Sequence, residues 1–467
     1  MDIFQINDTI CAIATAQGGA IGIIRVSGKE AITITDKIFQ PVNNGKRLSE
    51  KKSHTLSFGN IVNEKGDIID EVLVSVFRNP HSYTGEDSTE ISCHGSSYIL
   101  QHVMQLLIEN GCRTASPGEF TQRAFVNGKM DLSQAEAVAD VIAATSAASH
   151  RMAMNQMRGG FSKELSVLRD ELLHLTSLME LELDFSDHED LEFADRSELT
   201  SLVQKIKNVI NNLVLSFQVG NVIKNGVPVA IIGETNAGKS TLLNTLLNEE
   251  RAIVSDIHGT TRDVIEDTMV MGGVLFRLID TAGIRETSDT IESIGIERTF
   301  QKLRQASIVL WVVDSTRLDD DFAHLAERLL PECEDKELVI VLNKSDLQSA
   351  PALPEFVTSG SNIHTVSISA KYNDGISELK ELMVKIASLP ELTQNDVVVS
   401  NIRHYEALSR ALENLYNVQD GLAMNLSGDL VSQDLRECLF HLAEIVGGEI
   451  TTDEVLGNIF KHFCIGK

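Results

Sequence analysis

The sequence has no long hydrophobic run. None of its segments reaches the roughly 18 uncharged apolar residues that mark a candidate transmembrane helix. Its N-terminus also lacks the basic and apolar regions of a secretory signal. We therefore expect a cytoplasmic protein that is not associated with a membrane.

Cysteine is scarce as well. The chain has 6 cysteines among 467 residues, and no two of them form a CxxC pair. Scattered cysteines are typical of reduced thiols, whereas disulfide frameworks and zinc sites need paired or clustered ones. We expect neither of these features in this chain.

Positive charge is the third shortage. Lys and Arg number 40 against 67 Asp and Glu, which gives a formal net charge of −27. This balance disfavours broad electrostatic binding of nucleic acid or of an anionic membrane. The hydrophobic share of 43% excludes a mostly disordered chain. The length predicts two or three domains.

The residue pattern divides the chain into four stretches. Residues 1–127 alternate short β-rich runs with helical ones, as in an α+β domain. Residues 128–219 and 389–467 carry apolar side chains at helical spacing and predict a helix bundle. Residues 220–388 alternate strands and helices, the pattern of a parallel doubly wound sheet. We therefore predict a helical domain that is split by an inserted α/β domain.

A phosphate-binding motif lies in the α/β stretch. GETNAGKS at residues 233–240 follows an apolar strand and precedes a helix, which is the context that GxxxxGK[ST] requires. Its backbone N–H groups surround phosphate oxygens, Lys239 neutralises the β and γ phosphates, and Ser240 ligates Mg²⁺. A chance glycine-rich turn is the alternative, and the motifs that follow argue against it.

DTAG at residues 280–283 ends the next apolar strand. Asp280 is suited to hold Mg²⁺ through water, and the N–H of Gly283 to meet the γ-phosphate. Ile284 follows, at the position where many small GTPases carry a water-orienting Gln. Because an apolar side chain cannot orient water, hydrolysis requires another device.

Two more motifs identify the base. NKSD at residues 343–346 and SAK at residues 369–371 each follow an apolar strand. The Asp346 carboxylate accepts two donors from the edge of guanine, whereas adenine presents an acceptor there and leaves the carboxylate unpaired. The SAK segment closes over the base. The sequence therefore predicts a GTP site.

Taken together, the motifs identify the chain as a member of the tRNA-modification GTPase family MnmE, also called TrmE, over essentially its whole length. Outside the motifs above, the resemblance rests on GIIRVSG at 22–28, YTGED at 83–87, PGEF at 117–120, GTTRD at 259–263 and CIGK at 464–467. Two positions depart from the family: Thr235 replaces a usual Pro, and Gly128 replaces a common acidic residue.

The resemblance implies a fold class. In this class an α/β P-loop GTPase domain, residues 220–388, is inserted into an α-helical bundle domain, residues 128–219 and 389–467. An α+β folate-binding-like domain, residues 1–127, precedes them and forms a homodimer.

The resemblance also implies an activity and partners. GTP hydrolysis, stimulated by K⁺, accompanies the modification of carbon five of the tRNA wobble uridine with an aminomethyl or carboxymethylaminomethyl group. The one-carbon unit comes from formyl- or methylene-tetrahydrofolate, and an MnmG-like flavoprotein joins in a hetero-oligomer. This chain has no GxGxxG fingerprint, so we assign the flavin to that partner.

Matching to the family assigns the residues of the nucleotide site. Those assigned to GTP are Asn236, Ala237, Gly238, Lys239, Ser240, Thr241, Ser255, Asp256, Ile257, His258, Gly259, Thr260, Thr261, Asp280, Thr281, Ala282, Gly283, Asn343, Lys344, Asp346, Ser369, Ala370 and Lys371. Ser240 and Thr261 hold Mg²⁺. The K⁺ ligands are Asn236, Ser255, Ile257 and Thr260.

The same matching makes Glu292, Lys239 and Asn236 the catalytic residues, with Glu292 orienting the attacking water. K⁺ supplies the charge that an arginine finger gives elsewhere. By themselves the residues leave plainer interpretations open, namely a turn Asn at 236 and a solvated acid near a helix start at 292.

A second set of residues matches the family's formyl-folate contacts. The set is Arg25, Glu90, Lys129 and Lys467. A cation suits the carboxylate tail of folate, and a carboxylate suits the N–H donors of the pterin. Cys464 matches a Cys needed for modification. Each charge is by itself typical of a protein surface, and a free Cys is usually buried in a core.

Two other functions stay open from the sequence alone. One is a regulatory GTPase switch in ribosome assembly without one-carbon chemistry. Copurification of a folate with the chain would argue against it. The other is a folate-dependent transferase that acts alone under the control of its GTPase, which modification without a partner would support.

Overall fold

A computed structural model describes residues 8–16, 18–42, 46–184, 196–250, 267–279, 303–317, 320–348, 353–354, 357, 360–387, 393, 396–424, 426–448, 463 and 466. They fall into two units, each assembled from separate stretches of chain. The first unit takes its residues from Met1–Ile142, Gln156–Leu202 and Asn414–Lys467, and the second from Ala143–Asn155 and Val203–Glu413.

The strands and helices follow one another along the chain. Up to residue 184 they are β1 Ile10–Ile13, β2 Ile21–Ser27, α1 Ala31–Ile38, β3 Phe39–Pro41, β4 Thr55–Val62, β5 Ile68–Phe77, β6 Ser88–His94, α2 Ser97–Glu109, β7 Arg113–Thr114, α3 Glu119–Val126, α4 Leu132–Ala143, α5 Ala147–Met157 and α6 Gly160–Asp184. Beyond it they are α7 Arg196–Asn225, β8 Val227–Ile232, α8 Lys239–Glu250, β9 Asp267–Met271, β10 Val274–Leu278, β11 Ile308–Asp314, α9 Asp320–Leu329, β12 Glu337–Asn343, β13 Ile363–Ser367, α10 Ile376–Ile386, α11 Ile402–Ala423 and α12 Gly428–Val446.

The first unit contains a seven-stranded sheet in the order β3-β4-β5-β6-β2-β1-β7. β1 and β7 are parallel, and the other neighbours are antiparallel. Strand β5 buries Val72, Val74 and Val76 at every second position, and these side chains pack with apolar residues of α1 and α2. The result is a sheet with helices on one face, the α+β domain that the sequence predicts.

The opposite face of this sheet exposes apolar side chains. Leu56, Phe58 and Leu73 are 60%, 52% and 41% exposed, and Phe58 lies directly opposite Leu73 in the β4–β5 register. Arg25 of β2 and Glu90 of β6 alternate with buried neighbours and so lie on the same face. We call these five residues and their surroundings the outer sheet face.

Two long helices of the first unit come from distant parts of the chain and pack against each other. They are α6 and α12. Their buried apolar residues recur at helical spacing: Leu165, Leu168, Leu172 and Leu175 in α6, and Val431, Leu435, Leu442 and Ile445 in α12. The helical pattern that resumes late in the sequence therefore completes structure begun before the α/β stretch. Across the described ranges, every helix is too short or too polar to cross a membrane.

The second unit contains a six-stranded sheet in the order β13-β12-β11-β8-β10-β9. Adjacent residues of β8 point to opposite sides of the sheet and join two different cores. Trp311 of β11 lies in one of these cores, stacked on Phe322 with a centroid distance of 4.9 Å. A sheet covered on both faces is the doubly wound arrangement that the sequence predicts.

One edge of this sheet differs from the prediction of a purely parallel sheet. β9 and β10 pair antiparallel, whereas the other neighbours are parallel. Gly272 and Gly273 connect these two strands with φ angles of +55° and +79°. Such positive angles allow a two-residue hairpin, which leaves no room for a crossover helix.

The described cysteines are free and buried. They are Cys11, Cys93, Cys112, Cys333 and Cys438. Burial raises the pKa of Cys93 and of Cys333 to about 11 and that of Cys438 to about 12. These three thiols therefore stay protonated at neutral pH and are unreactive. Cys464 lies outside the described residues.

Candidate functional site

The loop between β8 and α8 carries the phosphate-binding motif. Gly233 and Gly238 adopt φ angles of +143° and +99°, which residues with side chains rarely adopt. A Cβ atom on Gly233 would also lie 2.2 Å from the carbonyl oxygen of Val312, and one on Gly238 would lie 2.1 Å from Nδ2 of Asn343. The two glycines therefore bring the loop close to the ends of β11 and β12.

Lys239 begins α8 and lies beside this loop. Its Nζ donates to the carbonyl oxygens of Gly233, at 2.9 Å, and of Glu234, at 2.6 Å. The ammonium and the positive end of the 12-residue helix thus meet at one loop, and both favour an anion there. Ser240 follows in the first turn of the helix with a hydroxyl group that suits Mg²⁺.

Asn343 connects three of the predicted motifs. Its Nδ2 donates to the carbonyl oxygen of Ala237 at 2.8 Å, and its Oδ1 accepts from the N–H of Ala370 at 3.0 Å. The side chain is buried, so both hydrogen bonds are shielded from water. The structure therefore brings the phosphate loop, NKSD and SAK together, although more than a hundred residues separate the first from the other two.

Asp346 is the predicted reader of the base, and a neighbour fixes its carboxylate. Ser369 donates from its hydroxyl group to Oδ1 of Asp346 at 2.6 Å. The Ser369 backbone is in turn fixed by a pair of hydrogen bonds with Asp374. Asp346 itself is exposed, so a ligand can reach its second oxygen.

Sequence reasoning missed Asp314, which ends β11. Its carboxylate pairs with Nζ of Lys344 at 2.5 Å and accepts from the N–H and hydroxyl groups of Thr316 at 3.0 and 2.7 Å. Burial opposes the charge, but the hydrogen bonds from Lys344 and Thr316 outweigh it and hold the pKa of Asp314 below its usual range. An acid at the end of an apolar strand run is the only signal that the sequence carries.

In the first unit the structure brings Arg25 and Glu90 together. The two residues lie directly opposite each other on β2 and β6. Nε and Nη2 of Arg25 donate to Oε1 of Glu90 at 3.0 and 2.8 Å. The guanidinium also lies 5.5 Å from the ring centre of Tyr83 and 5.6 Å from that of Phe120. Two hydrogen bonds and two aromatic rings thus fix Arg25 in a partly exposed site.

Lys129 and Lys467 are the other two residues that are predicted to bind folate. Lys129 donates from Nζ to the carbonyl oxygen of Pro80 at 2.9 Å, on the loop that also carries Tyr83. Nη1 of Arg25 lies 3.4 Å from the carbonyl oxygen of Gly466, which is the penultimate residue of the chain. Gly466 of the CIGK segment therefore lies beside Arg25. Lys467 and Cys464 themselves lie outside the described residues.

A buried arginine explains the YTGED and PGEF motifs. Arg123 is 1% exposed and donates to Asp8 at 2.7 Å, to Glu119 at 2.9 Å and to Glu86 at 3.2 Å. Arg113 also binds Glu119. Burial opposes the charge on Glu119, but the bonds from both arginines outweigh it and hold its pKa below the usual range. Glu86 of YTGED and Glu119 of PGEF therefore pair with Arg123 inside the domain, a role that sequence reasoning missed.

Several predicted residues lie outside the described part of the chain. They are Ser255, Asp256, Ile257, His258, Gly259, Thr260, Thr261, Asp280, Thr281, Ala282, Gly283, Ile284 and Glu292. Their assigned roles stay predictions. Within the described ranges, no group of three or more His, Cys, Asp or Glu side chains forms a metal site by itself.

Comparisons with known proteins cover nearly the whole chain. The family model of the MnmE helical domain matches residues 132–464, and that of the GTP-binding protein TrmE N-terminus matches residues 9–129. The tRNA modification GTPase MnmE of Bacteroides fragilis is 66% identical over 466 residues, 99% of this chain and 100% of the relative. Its counterpart from Bacteroides thetaiotaomicron is 65% identical over the same shares.

Among solved structures, the G domain of the T. maritima FeoB iron transporter covers 35% of this chain and 99% of its own, with 26% identity and a TM-score of 0.26. The two family models and the full-length relatives agree with each other. The chain therefore belongs to the family of the tRNA modification GTPase MnmE.

Proposed function

We propose that this chain hydrolyses GTP in the cytoplasm to drive modification of carbon five of the tRNA wobble uridine, with a folate one-carbon unit and an MnmG-like flavoprotein. Family membership supports the GTPase activity and the link to tRNA modification. The observation that carries the nucleotide assignment is the convergence of three motifs on the buried Asn343. The domain boundaries at residues 127, 219 and 388 are part of the proposal.

Phosphate and metal binding fall to the loop after β8 and to residues that follow it. Lys239 neutralises the β and γ phosphates, and the backbone N–H groups around Gly238 bind their oxygens. Ser240 and Thr261 ligate the Mg²⁺ that accompanies the nucleotide, and Asp280 holds it through water. When bound, the ion withdraws charge from the β and γ phosphate oxygens.

We assign a K⁺ ion to the phosphate site, where it adds the positive charge that an arginine supplies in other GTPases. Asn236 has the positive φ angle of +66° within the phosphate loop. Asn is one of the few residue types that tolerate this conformation, which supports its position in the loop but is also what a simple turn Asn would show. We assign its side-chain oxygen to K⁺, together with oxygens of Ser255, Ile257 and Thr260.

We expect hydrolysis to be at least about tenfold faster in K⁺ than in Na⁺, since a fixed cation stabilises the charge that develops on the phosphates. Asn236→Gly keeps a backbone that permits positive φ and removes the amide, so it should reduce the ratio of the two rates to near one. Asn373, at φ +61°, provides the matched control: Asn373→Gly should leave the ratio intact. Turnover is measured in both salts, and equal rates for the unaltered chain would refute the cation mechanism.

The site around Arg25 is assigned to folate. A fixed guanidinium between aromatic rings suits a planar or carboxylated ligand. We assign Arg25 and Lys467 to the carboxylate tail, Glu90 to the pterin donors, and Lys129 to the rim. Cys464 is proposed to take part in the modification step.

Arg25→Ala should remove copurified folate and reduce modified wobble uridine at least about tenfold, since a charged hydrogen-bonding group contributes on that scale. GTP turnover should stay within about twofold, because Arg25 belongs to the first unit and the nucleotide motifs to the second. Arg410→Ala is the control, since Arg410 is an exposed arginine in a weak helical ion pair. Loss of turnover in Arg25→Ala alone would contradict the assignment.

The outer sheet face is proposed as the homodimer interface. Leu56, Phe58 and Leu73 form an apolar patch there, and exposed patches of this kind mark association sites. Arg25 and Glu90 lie on the same face, so a second copy would help to enclose the folate.

Nucleoside analysis of tRNA from cells lacking this chain tests the proposed role in tRNA modification. An unchanged wobble uridine in that tRNA would refute it.

A further inference from the structure

We infer that Asp314 is a positioning residue for the guanine base, acting through Lys344. Lys344 belongs to the NKSD motif, and the inference rests on the proposed assignment of that motif to guanine. Asp314 belongs to none of the nucleotide motifs. It lies next to them because β11 and β12 run parallel and place Asp314 directly opposite Asn343 at the carboxyl ends of the two strands.

The geometry fixes both ends of the Lys344 side chain. Its backbone adopts φ +67°, a left-handed conformation that ends the extended course of β12. Its Nζ reaches back to the carboxylate of Asp314. The four-carbon stem is therefore held between its backbone, at the end of β12, and Asp314, at the end of β11.

Asp314 is itself held in place. Thr316 donates to its Oδ1 from both the N–H and the hydroxyl group, while Lys344 binds Oδ2. The Asp314 side chain is 12% exposed and that of Lys344 31%. A carboxylate with three fixed donors is a rigid anchor, whereas a free lysine side chain samples many rotamers.

A fixed lysine stem suits an aromatic base. Its methylene groups offer an apolar surface, and its ammonium at the edge attracts the π face of a ring. Lys344 lies two positions before Asp346, which is assigned to the edge of the base. We therefore assign the Lys344 stem to the face of the base. Ordering this stem before the nucleotide arrives removes an entropy cost from binding.

Stabilising the fold does not require this pair. β11 and β12 are already joined over seven residue pairs, and apolar residues of both strands are buried in the two cores. A partly exposed ion pair adds little to such a sheet. A second Asp–Lys pair, Asp335 with Lys336 at 2.9 Å, lies just before β12 at the end remote from the motifs and provides a surface control.

The test is nucleotide binding by Asp314→Asn in the full chain, measured with ribose-labelled fluorescent GTP and with inosine triphosphate in competition. We expect the Kd for GTP to rise about tenfold, the scale of one lost hydrogen bond to a charged group. The ratio of GTP to inosine triphosphate affinity should not change, because the base face and not its edge is affected. KM should rise with Kd, and kcat should fall much less.

Three further measurements decide between a positioning and a structural role. In a Lys344→Met background, Asp314→Asn should have no further effect, because it acts through the ammonium. Asp314→Glu should recover at least half of the lost affinity. The Tm without nucleotide should match that of Asp335→Asn.

The inference is overturned if Asp314→Asn binds GTP as tightly as Asp335→Asn, or if its effect persists in full in the Lys344→Met background. It is also overturned if the Tm falls while Kd is unchanged, which would assign Asp314 to the fold. Failure of the guanine assignment is recognised separately, since it predicts an unchanged base preference in Asp346→Asn.

Discussion

Asp346→Asn should convert the preference of this enzyme from GTP to xanthosine triphosphate. In the proposed site the carboxylate accepts two N–H donors of guanine, and an amide at this position would present a donor to them instead. Xanthine carries a carbonyl oxygen where guanine carries its amino group, so it accepts from the new amide. A site built around such hydrogen bonds discriminates by roughly 10⁴-fold, and we expect the preference to change by about that factor.

Competition between the two nucleotides, measured as Kd and as kcat/KM, tests this prediction. In the unaltered chain the Ser369 hydroxyl donates to Oδ1 of Asp346. The amide of the variant can accept this bond only when its oxygen faces Ser369, and this restriction should weaken the binding of both nucleotides. Asp374→Asn is the control, because Asp374 supports the same loop through its backbone. An Asp346→Asn chain that still selected guanine would remove Asp346 from the base site.

Local chemistry made the phosphate and base motifs predictable. A backbone that wraps around phosphates needs glycine at specific positions, and here Gly233 and Gly238 have both the angles and the close contacts that exclude a side chain. The strands before these motifs are continuous apolar runs because both faces of their sheet are covered. Spacing along the chain was therefore sufficient to predict strand, loop and helix.

Pairing across strands was not predictable in the same way. Arg25 and Glu90 were each expected to meet folate, but only the β2–β6 register shows that they bind each other across 65 positions. Asp314 and Lys344 become neighbours through the β11–β12 register. A register depends on the packing of whole faces and leaves no short motif.

The edge hairpin and the buried arginine could not be predicted from the sequence for two other reasons. Alternation of strands and helices predicts parallel pairing, and the Gly272–Gly273 turn that reverses β10 is a two-residue signal inside that pattern. From the sequence alone, Arg123 resembles an ordinary cation on the surface of a helix. Only in the folded domain do Asp8, Glu86 and Glu119 enclose it.

The attacking water needs an orienting group other than the usual Gln. Ile284 occupies the position at which a Gln orients water in many small GTPases, and an isoleucine cannot accept or donate a hydrogen bond. The K⁺ that we propose at Asn236 would supply charge, but no base or acceptor for the attacking water. A second group is therefore required, and Glu292, eight positions further along, is the acid that family matching assigns to it.

Glu292→Ala should slow GTP hydrolysis at saturation by roughly 10²-fold or more, the usual cost of one preorganised transition-state contact. The Kd for GTP should change less than about twofold, since water is oriented for the transition state and contributes little to ground-state binding. Glu378→Ala is the matched control, because Glu378 lies in the first turn of α10 and has the plain helix-start role that is the alternative for Glu292. Single-turnover hydrolysis and GTP binding are measured for both variants. Equal rates in the two variants would show that Glu292 is only a solvated acid near a helix start. Another residue would then have to orient the attacking water.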